Sequence, residues 1–179
     1  MLEADWPLTM IRETLANIPV YSLPPGYALH WYQPGDESCW AAIQAAADRY
    51  NEITPELFVQ QFCAADARLE ERQCYLLDPA GGAIGTATAW VDDLSGDPAA
   101  GRIHWVAIVP AAQGRGLAKP LMTAVCQRLR ALDHRTAYLT TSMARPVAIG
   151  LYLKFGFVPV LNDDEDRAHW QRLQEYLRR

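Results

Sequence analysis

The spacing of apolar residues alternates between a period of two and a period near four, which predicts a chain of interleaved strands and helices. Alternating stretches predict strands over residues 27–33, 74–78, 83–91, 102–109, 136–141 and 157–161. Helical spacing, with cap-forming or proline residues at the starts, predicts helices from Asp36, from Thr54, over 117–132, over 146–155 and over 162–179. The buried stripes of the first two helices are predicted to include Trp40, Ile43, Ala47, Tyr50, Phe58 and Phe62.

This order of elements predicts the α/β (α+β) class, with a mixed central sheet of about six or seven strands and helices on both faces. Residues 27–179 fit one domain that ends in a helix. Residues 1–26 contain prolines and a glycine that break regular elements, at Pro19, Pro24, Pro25 and Gly26. We therefore predict that residues 1–26 are an extension packed on the domain.

Composition narrows the function classes. The chain has 179 residues and a formal net charge of −5, which argues against a broad nucleic-acid-binding surface. It has no apolar run approaching about 18 residues and no basic, apolar leader. We therefore expect no contact with a membrane and a cytoplasmic location. The four cysteines lack the spacing of metal ligands, so we expect reduced thiols and no metal.

A glycine-containing turn separates the strand over 102–109 from the following helix. Glycines at such a turn expose backbone N–H groups to an anion, and the helix dipole adds about half a positive charge. The turn lacks the endings of a P-loop and of a dinucleotide-binding loop. An ordinary strand–helix connection remains the alternative. The turn reads Gln113-Gly114-Arg115-Gly116-Leu117-Ala118.

A second segment, Ala148-Ile149-Gly150-Leu151-Tyr152-Leu153-Lys154-Phe155-Gly156-Phe157, follows some thirty residues later. Together the two segments resemble the cofactor half of the GCN5-related N-acetyltransferase (GNAT) superfamily. The resemblance implies the GNAT fold and acetyl-CoA as acyl donor, with the turn binding the pyrophosphate and the preceding strand pairing with the pantetheine arm. The cofactor-binding residues that it implies are Val106, Ala107, Ile108, Gln113, Gly114, Arg115, Gly116, Leu117, Ala118 and Tyr152.

Two side chains are candidates for the proton transfers. By the resemblance, Tyr152 lies beside the coenzyme sulfur as general acid, although its helical spacing also suits a core aromatic residue. His104 is the candidate base, because strand alternation predicts that it shares a face with Val106 and Ile108. A core histidine is the alternative, and Asp92, Asp93 or a water molecule are rival bases.

The chain departs from the family pattern at Arg145, where many members carry asparagine. Arg145 could bind a phosphate or an acidic substrate group, or cap the sheet edge. The helical ending is a second departure and leaves a homodimer contact open.

These observations predict an acetyl-CoA-dependent N-acetyltransferase that acts on a primary amine of an unidentified small molecule or peptide. A longer acyl donor stays open. The first alternative is a non-catalytic acyl-CoA-binding regulatory protein, and the second is a module that binds partners through its ends. The resemblance implies that residues 31–65 determine acceptor specificity; they include Glu37, Trp40, Tyr50 and Phe58 without a decisive pattern.

Overall fold

A computed structural model describes residues 6–62, 68–91 and 96–178. The strands in these ranges are β1 (Pro7–Arg12), β2 (Ala28–Trp31), β3 (Gln73–Leu77), β4 (Ala83–Val91), β5 (Ala100–Ile108), β6 (Thr136–Ser142) and β7 (Val158–Pro159). The helices are α1 (Glu37–Ala47), α2 (Pro55–Phe62), α3 (Leu69–Arg72), α4 (Ala118–Ala131), α5 (Pro146–Lys154) and α6 (Asp164–Leu177), with a short 3-10 turn at Pro110–Ala112.

All seven strands belong to one sheet in the order β2-β3-β4-β5-β6-β1-β7. Neighbouring strands run antiparallel except β5 and β6, which are parallel. A parallel pair needs a crossover connection, and α4 supplies it. The mixed sheet with helices on both faces confirms the predicted fold class.

Each face of the sheet buries its own cluster of side chains. The larger cluster joins α4, α5 and α6 to the sheet and includes Met10, Leu121, Leu129, Tyr152 and Phe155. The other, here called the aromatic cluster, joins α1 and α2 to the sheet and contains Tyr32, Trp40, Ile43, Phe58, Phe62, Tyr75, Trp90 and Ala107. The alternation of β3 explains the division, because Cys74 and Leu76 face the first cluster and Tyr75 the second.

The N-terminal segment corrects one prediction. Pro7–Arg12 is a strand of the sheet between β6 and β7, so the prediction that residues 1–26 are an extension packed on the domain was wrong for this segment. Leu8 and Met10 are its buried positions, at the spacing of two that a strand requires. Further along, the Tyr21 N–H donates to Thr123 Oγ1 at 3.1 Å, which ties this loop to α4.

The remaining elements lie within a few residues of their predicted positions, while α3 was not predicted. Tyr50 lies beyond the end of α1 and is half exposed, so its predicted place in the buried stripe was wrong. The hairpin between β3 and β4 is capped by Asp78, whose Oδ1 accepts the Gly82 N–H at 2.8 Å. Gly81 in this turn has φ +85°, a conformation that favours glycine.

Candidate active site

The sheet opens between its two parallel strands. Pairing of β5 with β6 covers Ala100–Arg102 and ends at the pair Arg102 and Tyr138. Beyond it, β5 continues beside β4 alone and β6 beside β1 alone. We call the space between residues 104–108 of β5 and 139–142 of β6 the gap. Within the described ranges no strand pairs with the β5 side of the gap, so its backbone is available to an extended ligand.

A β-bulge in β5 lies at the start of the gap. Thr88 pairs with His104 and Thr86 with Ala107, so two residues of β5, Trp105 and Val106, oppose a single residue of β4. Trp105 has φ +49°, a rare conformation for a bulky residue. Its carbonyl accepts a hydrogen bond from Gln44 Nε2 of α1 at 3.0 Å, which helps to hold the bulge.

The bulge overturns the predicted facing of His104. Because one extra residue shifts the alternation, His104 shares a face with Ala107, and Val106 and Ile108 point to the opposite face. The expectation that His104 lies on the same face as those two residues was therefore wrong, since sequence alternation assumes an unbroken ladder.

His104 lies against the aromatic cluster and is 8% exposed. Its ring lies 5.8 Å from that of Phe62 and 6.4 Å from that of Trp90, centroid to centroid. His104 Nε2 is 3.2 Å from Gln61 Oε1, which also accepts the Trp105 indole N–H at 2.9 Å. An amide oxygen only accepts, so this geometry assigns the His104 proton to Nε2. The rival bases Asp92 and Asp93 lie outside the described residues.

The glycine turn follows β5 directly. Gly114 and Gly116 have φ +75° and +77°, and a Cβ atom at either position would meet no other atom within 4 Å. Glycine is therefore required by the backbone conformation, and the turn faces open space. Leu117, the residue before α4, is 2% exposed and anchors the start of the helix in the core. The first-turn N–H groups of α4 lack a side-chain cap.

Side chains bind two carbonyls of β5 at either end of a short stretch. Gln113 Nε2 donates to the Ile108 carbonyl at 2.8 Å, which fastens the turn to the strand end. Gln44 binds the Trp105 carbonyl, as described above. Val106 and Ala107 lie between these two points. The local positive charge comes from Arg115, whose Nη2 donates to the Ala111 carbonyl at 2.9 Å.

Tyr152 lies on the other face of the sheet from His104, in the cluster beneath α4 and α5. It is 8% exposed, and its ring lies 6.4 Å from that of Phe157. Burial raises the pKa of Tyr152 to about 12, an effect that the charge of Arg145 partly opposes. The hydroxyl is therefore protonated at neutral pH and is a hydrogen-bond donor.

Arg145, the residue before α5, makes a contact that sequence analysis did not anticipate. Its Nη2 lies 3.0 Å and 3.1 Å from the two carboxylate oxygens of Asp48, which follows the last residue of α1. The partners are 97 residues apart in the chain, so no local sequence pattern links them. The only sequence signal is that Gln44 and Asp48, four residues apart, share one side of the helix.

No metal site accompanies these residues. Across 6–62, 68–91 and 96–178, no group of three or more His, Cys, Asp or Glu side chains is placed to hold a metal ion. In the same ranges no helix has both the length and the apolar composition needed to cross a bilayer. Cys39, Cys74 and Cys126 are free thiols, and burial raises the pKa of Cys74 and of Cys126 to about 12. Cys63 lies outside the described residues.

Comparison with known protein families identifies the chain. The sequence model of the Acetyltransferase (GNAT) family matches residues 27–157. The chain belongs to this family. The match begins at the strand β2 and ends at Phe157, so it spans the gap, the glycine turn and α5.

Curated relatives of this GNAT chain include two mycothiol acetyltransferases. That of Pseudarthrobacter chlorophenolicus is 33% identical over 150 residues, which cover 79% of this chain and 46% of the relative. That of Salinispora tropica is 30% identical over 158 residues, which cover 82% and 49%. The chain therefore spans about half the length of these relatives.

Solved structures show the same fold. The GCN5-related N-acetyltransferase from Sphaerobacter thermophilus superposes with a TM-score of 0.68 at 22% identity, over 86% of this chain and 48% of that one. A tandem GNAT protein from the clavulanic acid biosynthesis pathway gives a TM-score of 0.63 at 18% identity, over 88% and 51%. At these identities the likeness concerns the fold.

Proposed function

We propose that this chain is an acetyl-CoA-dependent N-acetyltransferase that acetylates a primary amine of a small molecule. The observation that carries the proposal is the continuity of the gap with the glycine turn. An extended arm lying along Val106 and Ala107 would meet, at the end of β5, a turn whose amides suit a diphosphate. The membership of the GNAT family and the curated relatives named mycothiol acetyltransferase support a small-molecule acceptor.

The cofactor-binding residues predicted from the sequence divide by structural role under this proposal. Val106 and Ala107 offer backbone to the pantetheine arm, while the Ile108 carbonyl is already bound by Gln113. Gln113 thus stabilises the turn by binding the end of β5, and we assign it no direct contact with the coenzyme. The diphosphate would be bound by the amides of residues 114–118, and Arg115 would contribute charge.

The reaction needs two proton transfers, and the two candidate side chains, His104 and Tyr152, lie on opposite faces of the sheet. The amine nitrogen attacks the thioester carbonyl carbon, the C–N bond forms, and the C–S bond breaks to release the thiolate. A proton leaves the nitrogen to His104 or to a water molecule, which passes it to solvent. On the other face the Tyr152 hydroxyl donates a hydrogen bond to the departing sulfur. The sulfur becomes a thiol when it takes the proton of Tyr152, and solvent then reprotonates Tyr152.

The high pKa of Tyr152 bears on its role. A phenol with a pKa of about 12 is a weaker acid than an ordinary thiol, whose pKa is about 8.5. Stabilisation of the leaving sulfur by a hydrogen bond is therefore the larger part of the contribution that we assign to Tyr152.

The test combines affinity with turnover. Calorimetry should detect acetyl-CoA binding by the full chain, and thiol release should appear when a panel of primary amines is added. Binding without release for any amine would favour a non-catalytic acyl-CoA-binding protein. Absence of both would refute the assignment of the gap and the turn to the coenzyme.

A further inference from the structure

One end of α1 reaches both sides of the gap. Gln44 binds the Trp105 carbonyl of β5, and Asp48, one turn later, binds Arg145 just after β6. No backbone pairing joins the two strands there, in the part of the sheet that the structure describes. Where the pairing ends, Arg102 Nη2 of β5 donates to Thr140 Oγ1 of β6 at 3.1 Å. Beyond that bond, side-chain links through a single helical turn connect the two strands at the gap.

The Asp48 carboxylate is held firmly by its own loop. It accepts hydrogen bonds from the backbone N–H groups of Tyr50 and Asn51 at 2.8 Å and 3.2 Å, and from Asn51 Nδ2 at 2.7 Å. Burial opposes its ionisation, yet these bonds and the charge of Arg145 lower the pKa of Asp48 below its ordinary value. The Asp48 carboxylate is therefore ionised and held in position by its own loop, and it forms an ion pair with Arg145.

A second residue reinforces the same connection. The Arg145 guanidinium carbon lies 4.8 Å from the centre of the Tyr50 ring, and the Tyr50 hydroxyl donates to the Ala144 carbonyl at 3.1 Å. Residues 48–50 are thus joined to residues 144–145 by an ion pair, a cation–π contact and a hydrogen bond. We call Asp48, Tyr50, Ala144 and Arg145 the clasp.

We propose that Arg145 is a positioning residue for acyl transfer, which acts through Asp48 by fixing the width of the gap where the thioester would lie. This inference rests on the proposed function. Transfer is sensitive to such a change, because a displacement of about 1 Å between reacting groups can cost roughly 100-fold in rate. The clasp thus assigns Arg145 a role other than binding a phosphate or an acidic substrate group.

The test is a double-mutant cycle on kcat with the full chain. Arg145→Met removes the positive charge with little loss of volume, and Asp48→Asn removes the negative charge but keeps one of the two acceptor oxygens. Each change should lower kcat about tenfold, because each breaks the link that sets the width of the gap, while the Kd for acetyl-CoA should stay within about threefold. Since the two residues act through each other, the double variant should be no slower than either single one.

A conservative variant separates positioning from shape. Arg145 reaches both oxygens of Asp48 through one nitrogen, Nη2, so a lysine ammonium can supply the same charge, although it lacks the planar group that lies over Tyr50. Arg145→Lys should therefore recover part of the lost kcat, whereas Arg145→Met should not. Arg167→Met is the matched control, since Arg167 pairs with Asp164 at 2.9 Å on the exposed side of α6, and it should leave kcat unchanged.

Three results would overturn the inference. Additive losses in the double variant would mean that Arg145 and Asp48 act independently. Unchanged kcat in the single variants would remove the clasp from the reaction, and a higher KM for acetyl-CoA at constant kcat would make Arg145 a coenzyme ligand.

A wild-type chain that acetylates nothing would instead count against the proposed function. Amide hydrogen exchange along residues 139–142 still tests the clasp in that case. Exchange there should be faster in Arg145→Met than in the wild type, and equal rates would refute the link between Arg145 and the gap.

Discussion

The two sides of β6 differ sharply. On one side, six residues of β1 pair with β6 in continuous register from Pro7 with Ser142 to Arg12 with Ala137. On the other side, only three residues of β5 pair with it. Because β6 is regular on the β1 side, its own conformation does not cause the gap. The irregularity belongs to β5, where the bulge at Trp105 turns the strand away.

The two sides of β6 therefore serve different purposes, one for stability and the other for function. The β1 side contributes buried apolar surface and a complete ladder. The β5 side gives up pairing and leaves backbone groups for a ligand.

The largest effect is expected on the paired side. Met10 is fully buried between Leu139 and Pro159, so Met10→Ala should lower the free energy of unfolding by about 2–5 kcal/mol. Chemical denaturation measures this loss. Val158→Ala is the control, because Val158 is half exposed in the adjacent strand and should change stability by less than about 1 kcal/mol. Equal losses would mean that β1 is no more than a surface strand.

At the gap, the second largest effect is expected for Tyr152→Phe. It should reduce kcat by about 100-fold, the lower end of the range for a positioned proton donor. The Kd for acetyl-CoA should change little, because the ring and its packing against Phe157 are kept. Steady-state kinetics and calorimetry give the two numbers. Undiminished kcat would exclude Tyr152 as donor to the sulfur.

Two glycines offer a matched pair of substitutions. Gly116→Ala and Gly81→Ala each place a side chain at positive φ in open space, so each should cost roughly 1–2 kcal/mol of stability. Only Gly116→Ala should weaken acetyl-CoA binding, by about tenfold or more, since hydrogen bonds to charged groups contribute roughly 1.5–3 kcal/mol each. Similar affinities for both variants would place the diphosphate elsewhere.

The smallest effect concerns pH. Burial raises the pKa of Tyr152 from about 10 in the unfolded chain to about 12, so the neutral form persists in the native state. The associated stability is complete below about pH 10 and is lost as the pH rises toward about 12. Above about pH 10, the unfolding free energy of the wild type should therefore fall more steeply than that of Tyr152→Phe. Parallel curves would contradict this burial effect.

The elements around the glycine turn are predictable from the sequence, because β4, β5, α4 and α5 have clear periodicity and clear turn or cap residues at their ends. The strand β1 is not, since Leu8 and Met10 give only two buried positions and the partner strand lies about 130 residues away. The bulge was hidden for a different reason. Trp105 adopts positive φ without a glycine to signal it, and Gln44 of α1 supports it from 61 residues away.

Hydrogen exchange with and without acetyl-CoA shows whether an acyl-CoA thioester occupies the gap and the turn together. We expect slower exchange at the amides of Val106, Ala107 and residues 114–118 when acetyl-CoA is added. The β1–β6 ladder should exchange at the same rate in both states. Unchanged exchange at the gap and the turn, with acetyl-CoA bound elsewhere or not at all, would contradict the account.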